Sequence, residues 1–377
     1  MNVLVIPDKF KGSLTAKEVI KSITAGIAKA FSSAKIHSLV ASDGGDGFLD
    51  AVSGNKVIAK MWVDTVDPLM RPIKAMYLLD SKSKSAYIEM ARASGLELLT
   101  VQERNAMRTT TFGTGIQIKD AIQKGARRIY LGLGGSATND GGIGLAKALG
   151  YSFLDNLGNT LEPIGSNLIK IAKIEKGSSY DTLNNIAFFA VNDVDNPLFG
   201  EHGAAYVYGP QKGVDRKQVQ ILDDGLVNLH KRAKEQLGHD NAHLPGSGAA
   251  GGTAYGLKTF FDADYISGID FILKLGKVPD FLEKNKVDFI ITGEGKIDAQ
   301  TINGKLVKGV LGLGKTYGVP VIAVCGKLDL DKQQLNALGL NTVLETYESS
   351  KGIDFSMQNA STLIENLIFS FFDAINK

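Results

Sequence analysis

The chain holds one cysteine, Cys325, in 377 residues, so no disulfide can close within it and a zinc site built on several cysteines is excluded. Its five histidines are scattered, with none in an H-E-x-x-H or His-x-His spacing. Nor is there a run of about eighteen apolar residues of the kind that spans a bilayer. The N-terminal "MNVLVIPDKF" is apolar for too few residues to be a signal peptide, and Pro7 and Asp8 interrupt it. A dominant charge is missing as well. The 42 basic and 40 acidic residues give a net +2, too mild to imply nucleic acid, and no Lys/Arg run is interleaved with aromatics. These absences point to the cytoplasm and to a small-molecule substrate, with no nucleic acid and no membrane. They leave the oligomeric state open.

What is abundant is glycine, 43 residues, clustered directly after apolar runs. That is the placement of ligand loops rather than of flexible linkers. The length exceeds what a single core usually supports, so two domains are expected. "NVLVIP" is a short buried strand, followed by a capping box at Thr15-Ala-Lys-Glu18 and a helical stripe through Val19, Ile20, Ile23, Ile27 and Phe31. "KIHSLVAS" is a second strand, with a helix from about Phe48. Past about residue 54, three strand-like runs joined by short turns look antiparallel. Helices are expected near 113–124, 140–149, 215–237 and 249–262, and strands at "RRIYLGLGG" and "IAFFAV". "VDFIITGEG", a buried strand with a glycine loop, then "VPVIAVCG" and "NTVLETY" restore an α/β rhythm at the end.

The expected fold is α/β in two domains. A Rossmann- or flavodoxin-like doubly wound parallel sheet is built from both chain ends (residues 1–55 and 265–377), and a mixed α/β domain (56–264) is inserted into it. The active site is expected in the cleft between them, since ligands of open α/β sheets sit at the carboxyl ends of the strands.

The stretch "GVLGLGKT" (309–316) matches the phosphate-loop pattern G-x-x-x-x-G-K-[ST] letter for letter. That pattern binds phosphate only where a strand enters the first glycine and a helix starts at the Lys-Thr. Here "TINGKLVKGV" precedes it and reads as helix, while Gly318 and Pro320 stop a helix just after it. The match is expected to be the back half of a helix, with Lys315 in its last turn.

Five other glycine-acid loops carry the chemistry. Residues 7–13 place Asp8, Lys11 and Ser13 at the end of the first strand beside a helix N-terminus, where a lysine meets an anion well. Loop and cap residues with a solvated lysine are the alternative. In "DGGDG" (43–47), Gly44 and Gly45 between Asp43 and Asp46 would let amides approach a phosphate while an acid faces Mg²⁺ or a hydroxyl. A helix cap is the alternative there. "GLGGSATNDGGIG" (132–144) is the most informative. Gly135, Ser136, Thr138, Asn139 and Asp140 form a strand-to-helix loop so dense in small polar residues that close ligand approach explains it better than a bare turn. "NDVDNPLFG" projects Asp193 beyond an apolar strand, as a base for a hydroxyl proton or a Mg²⁺ ligand. Asn196 precedes Pro197 in the same loop, and Lys212 sits in "GPQKG", where it could pair with phosphate. Finally, Glu294, Asp298 and Lys305 surround the glycines of "TGEGKIDAQTINGK". Many amide loops, several acids and a few lysines at sheet ends are what phosphoryl transfer asks for.

In this order and spacing, "PDKFKGSLTA", "DGGDG", "TTTFGTG", "GGSATNDGG", "DVDNPL", "GPQKG", "PGSGAAGG" and "TGEGKIDAQTINGK" resemble the bacterial glycerate kinases of the GarK/GlxK type, from residue 1 to about 330. The resemblance implies transfer of the ATP γ-phosphate to D-glycerate with Mg²⁺, typically to 2-phosphoglycerate, on a Rossmann-like domain with an α/β insertion and without a phosphate-loop lysine. Asp193 is then the favoured base and Asp298 the second choice. Lys11 and Lys305 would neutralise phosphate charge, residues 136–140 would cradle it, and Asp43 and Asp193 are the Mg²⁺ candidates. Asp46, often Glu in the family, and Arg92, often small or uncharged there, are departures. Arg92 reads equally as a substrate-carboxylate contact and as solvated surface.

Overall fold

The computed structural model describes residues 1–41, 44–45, 47–177, 183–298, 301 and 305–376. Thirteen strands lie among the described residues. In chain order they are β1 (Asn2–Pro7), β2 (Lys35–Ser38), β3 (Ala59–Val66), β4 (Pro72–Asp80), β5 (Ser85–Glu89), β6 (Arg128–Gly132) and β7 (Tyr151–Leu154). They continue as β8 (Lys173–Lys176), β9 (Ala187–Val191), β10 (Asp264–Ile266), β11 (Phe289–Ile297), β12 (Val321–Leu328) and β13 (Thr342–Glu345). The chain forms two compact units. One comprises Met1–Ser42, Asp50–Lys56 and Gly268–Lys377; the other comprises Asp43–Leu49 and Val57–Ser267.

The first unit is a five-stranded sheet in the order β2-β1-β11-β12-β13, parallel throughout. Numbered within the unit, this is 2-1-3-4-5, the flavodoxin-like order of a doubly wound sheet. The parallel sheet expected from the two chain ends is thus present. On one face, Val3, Val5, Ile291, Ile322 and Val324 pack against Val19, Ile23 and Ile27 of the helix Ala16–Ala30 and against Ile364, Ile368 and Phe372 of the helix Ala360–Asn376. The capping box at Thr15 and Glu18 starts the first of these helices. The two helices touch at Gly26, where a Cβ would lie 2.5 Å from the Glu365 carbonyl oxygen.

Two sequence expectations are decided in this unit. Residues 309–316 lie inside the helix Lys305–Tyr317, with Lys315 in its last turn, so the phosphate-loop pattern is not a loop. The glycine loop expected after "FIIT" is absent as well, because β11 runs on through Ile297, paired with β12 as far as Leu328. A Cβ at Gly293 would lie 2.2 Å from the Val324 oxygen, and one at Gly326 would lie 2.5 Å from the Gly295 oxygen. These glycines keep two strands close instead of turning the chain.

The second unit holds a six-stranded sheet in the order β10-β9-β6-β5-β4-β3. Strands β5, β6, β9 and β10 are parallel, and β4 and β3 extend the sheet antiparallel. This is the expected mixed α/β arrangement. Ala86, Ile88, Ile129, Leu131, Phe188 and Ala190 join its main core. Tyr87, Tyr130 and Phe189, level in register across β5, β6 and β9, stack with ring centroids 5.2 and 4.5 Å apart.

Three features depart from the sequence reading. The antiparallel pair β7–β8 was not anticipated. The helix Ala249–Phe261 is broken near its start by three consecutive left-handed residues, Ala250, Gly251 and Gly252. The segment Asp43–Leu49, assigned from sequence to the first domain, belongs to the second unit. Its glycines fit against the strand ends there, as described next.

Candidate active site

In the second unit, Glu89, Gly132 and Val191 are level in register at the carboxyl ends of β5, β6 and β9. The glycine loop 44–47 docks on this row. The Gly134 N–H donates to the Gly44 carbonyl at 3.1 Å, and the Leu49 N–H donates to Glu89 Oε2 at 3.1 Å. Gly44 has φ +85°, and a Cβ there would lie 2.6 Å from the Val191 oxygen. A Cβ on Gly134 would lie 2.1 Å from Gly45 Cα. These glycines are demanded by backbone packed on backbone. Glu89 itself is buried and pairs with Arg92 Nε at 3.1 Å, which gives Arg92 a structural partner. A pocket of about 280 Å³ opens beside the pair, lined among others by Gly47, Trp62, Lys74 and Met76.

The loop after β6 turns its polar side chains inward. Asp140 is fully buried. Its Oδ2 accepts from the Thr111 N–H (2.7 Å), the Thr111 hydroxyl (2.8 Å) and the Gly144 N–H (3.2 Å), and its Oδ1 accepts from the Gly142 N–H (3.1 Å). Burial holds its carboxyl above the usual range, against the pull of those donors. Lys212 is equally enclosed. Its Nζ donates to the Ser136 hydroxyl at 2.8 Å and to the Thr138 carbonyl at 2.7 Å. Burial pushes this amine down to about 7, with the Asp140 charge opposing the shift. Thr138 Oγ1 and both amide atoms of Asn139 are buried with no hydrogen-bond partner. Gly135 is exposed in the same loop at φ +71°. Of the side chains the sequence offered as a phosphate cradle, Ser136 and Lys212 bond each other and Asp140 braces its own loop against Thr111.

The loops after β9 and β10 meet. Ser267 donates from Oγ to Asp193 Oδ1 at 2.8 Å. Asn196 is fixed at both ends of its amide: Nδ2 donates to the His202 carbonyl at 2.8 Å, and Oδ1 accepts from the Tyr208 hydroxyl at 2.6 Å. The Gly248 N–H donates to the Asn196 carbonyl at 2.9 Å. The left-handed run 250–252 lies on the loop after β6. The Gly141 N–H donates to the Gly251 carbonyl at 3.0 Å, and a Cβ at Gly251 would lie 2.0 Å from the Thr138 oxygen. Two of the three are glycines, which take this conformation freely; Ala250, at φ +55°, is the one that stores strain of the kind that functional sites keep.

In the first unit, the strand order reverses between β1 and β11, the point at which sheets of this type bind ligands. Asp8 follows β1 there, its N–H donating to the Gly293 carbonyl at 2.8 Å. Glu294 lies on β11, where its Oε1 accepts from the Thr301 hydroxyl at 2.6 Å. The Asp298 N–H donates to the same hydroxyl at 3.0 Å, and the Asp298 carboxylate pairs with Lys296 at 3.1 Å. Lys11 is exposed. Ser13 gives its hydroxyl to the Met357 carbonyl at 2.6 Å, which makes it a clasp between segments. Asp43 and the Lys305 side chain lie outside the described residues.

Sequence reasoning missed Glu89, Ser267 and Thr301. Glu89 ends the apolar run "SAYIE", the same signal that singled out Asp193. Ser267 and Thr301 carry no signal apart from their partners. In the second unit the strand ends offer carboxylates for protons or a cation and the exposed Gly135; in the first unit they offer carboxylates and the exposed Lys11. Among the described residues no group of three or more His, Cys, Asp or Glu could hold a metal by itself.

A model described as the glycerate kinase family matches residues 3–376. The chain is 38% identical over 370 residues to "Glycerate kinase" of Halalkalibacterium halodurans, covering 97% of this chain and 96% of that one. It is 35% identical over 360 residues to "Glycerate 2-kinase" of Escherichia coli, covering 96% and 94%. The crystal structure of a Salmonella typhimurium LT2 protein assigned as glycerate kinase 2 superposes with a TM-score of 0.84 at 34% identity, covering 100% of this chain and 98% of that one. The chain belongs to the glycerate kinase family and is a kinase.

Proposed function

We propose that the protein transfers the γ-phosphoryl group of ATP to D-glycerate in the cytoplasm, acting with Mg²⁺ on the 2-hydroxyl and releasing 2-phosphoglycerate and ADP. The observation that carries this is identity of more than a third, over nearly the whole chain, to a relative named glycerate 2-kinase. The glycerate hydroxyl oxygen attacks the γ-phosphorus as the bond to the β–γ bridging oxygen breaks, and that electron pair leaves with ADP. Asp193, just beyond β9, takes the hydroxyl proton, with Asp298 as second choice.

Lys11 and Lys305 are assigned to phosphate charge, as are the amides around Gly44, Gly45 and Gly135. Asp8 and Glu294, at the reversal of the parallel sheet, are assigned to the same ligand set. The residues at hand suit a Mg²⁺ that arrives with the nucleotide, since that ion takes one or two carboxylates together with phosphate oxygens. Of the two candidates, Asp43 is assigned to hold the ion, since Asp193 is given to the proton, and when bound the ion would neutralise charge on the phosphates.

The test is ADP release from Mg-ATP with and without D-glycerate, followed by enolase coupling to separate the 2- from the 3-phosphate. Glycerate-dependent ADP with direct enolase turnover is expected. Nucleotide binding without glycerate-dependent ADP would remove the assignment.

A further inference from the structure

Asp193 lies on a loop, two residues past the end of β9, where a carboxylate would ordinarily rotate freely. It is held instead by the element alongside. Strand β10 pairs with β9 in parallel, with Ile266 opposite Val191, and the Asn192 N–H extends that ladder by donating to the Ile266 carbonyl at 3.1 Å. The ladder thus delivers the residue that follows β10, Ser267, to the side of Asp193, where its hydroxyl donates to Oδ1 at 2.8 Å. Ser267 is itself confined on both sides. A strand precedes it, and the helix Gly268–Leu275 starts immediately after it. It is also the last residue of the second unit before the chain passes into the first.

We propose that Ser267 is a positioning residue for phosphoryl transfer, fixing by its hydrogen bond the rotation of the Asp193 carboxylate that accepts the substrate's hydroxyl proton. This rests on the reading of Asp193 given above. In this role the hydroxyl acts through Asp193 rather than on the substrate. Its contribution is alignment, which is realised in the chemical step rather than in binding. Removing a hydrogen bond to a charged group weakens the step by about tenfold to a hundredfold. The same bond should be worth nothing once the carboxylate is gone, because the two residues act as one unit.

The experiment compares the full-length wild type with Ser267→Ala, Ser267→Thr, Asp193→Asn and the Ser267→Ala/Asp193→Asn double variant. Both substrates are varied separately. Ser267→Ala is expected to lower kcat about tenfold to a hundredfold while each KM stays within about twofold. Ser267→Thr, which keeps the hydroxyl, should recover most of the rate. Adding Ser267→Ala to Asp193→Asn should change kcat by less than about twofold. A Ser267→Ala enzyme within about threefold of wild type, or effects that multiply in the double variant, would overturn the proposal while leaving the functional reading standing. A wild type that forms no glycerate-dependent ADP would overturn both.

Discussion

Lys212 Nζ and Ser136 Oγ stand 2.8 Å apart inside the second unit, where the lysine is 3% exposed. Its other hydrogen bond goes to the Thr138 carbonyl, so the contacts to its ammonium are a hydroxyl and a carbonyl. Burial lowers its pKa from an ordinary 10.5 to about 7. The unfolded chain therefore keeps a proton between about pH 7 and pH 10 that the folded protein has released, and stability rises with pH across that window. Below about pH 7 both states are charged, and the cost of burying the ammonium is borne in full. Lys212→Met should remove this slope. The measurement is the urea midpoint at several pH values. The wild type should gain on the variant between pH 7 and pH 9.5, by a few kcal/mol at most. A constant difference would mean that the amine remains protonated in the folded protein.

Gly44 and Gly47 provide a controlled pair in one loop. Both have left-handed backbone, φ +85° and φ +90°. A Cβ on Gly47 would meet nothing within 4 Å, whereas one on Gly44 would strike the Val191 oxygen at 2.6 Å. Gly47→Ala should cost only the backbone preference, about 1 kcal/mol. Gly44→Ala should cost that and the displacement of the loop from the strand ends, roughly 2–4 kcal/mol in all. Thermal melting of the two variants decides the matter, and equal losses would mean that the loop does not rest on β9 as described.

Much of the fold was legible because its signals are local. The apolar runs of β1, β9, β11 and β12 and the capping box at Thr15 and Glu18 are written into adjacent residues. The path of β11 was not, because a glycine that permits a turn and one that permits close strand approach look alike in sequence. Gly293 is of the second kind. The same ambiguity hid the role of residues 136–140. Small polar side chains suit a phosphate and also suit an internal brace, and the bracing contacts of Asp140 and Lys212 lie with residues distant along the chain, Thr111 and Ser136. Glu89 and Ser267 escaped because their meaning lies in partners distant along the chain, Leu49 and Asp193.

Asp193→Asn tests the proton acceptor directly. The amide keeps the shape of the carboxylate and can still accept from Ser267, but it cannot take the hydroxyl proton. A lost acid-base group lowers kcat by roughly 10²- to 10⁴-fold, with the KM for ATP little changed. A loss below about threefold would remove Asp193 from that role and move the assignment to Asp298.

Lys315 separates a sequence pattern from a site. It lies in the last turn of the helix Lys305–Tyr317, where a cation complements the partial negative charge of the carbonyl end. A phosphate-loop lysine reaches the outer phosphates from a loop before a helix, and its removal costs orders of magnitude in rate. Here the geometry is reversed, with the lysine at the helix exit. Lys315→Ala is therefore expected to leave kcat and the KM for ATP within about twofold of wild type, and to lower stability by about 0.3–1 kcal/mol through the lost dipole interaction. Steady-state kinetics and a urea melt on the same preparation test both halves. A large fall in kcat with unchanged stability would return "GVLGLGKT" to the list of nucleotide contacts and would contradict the assignment of phosphate binding to the strand-end loops.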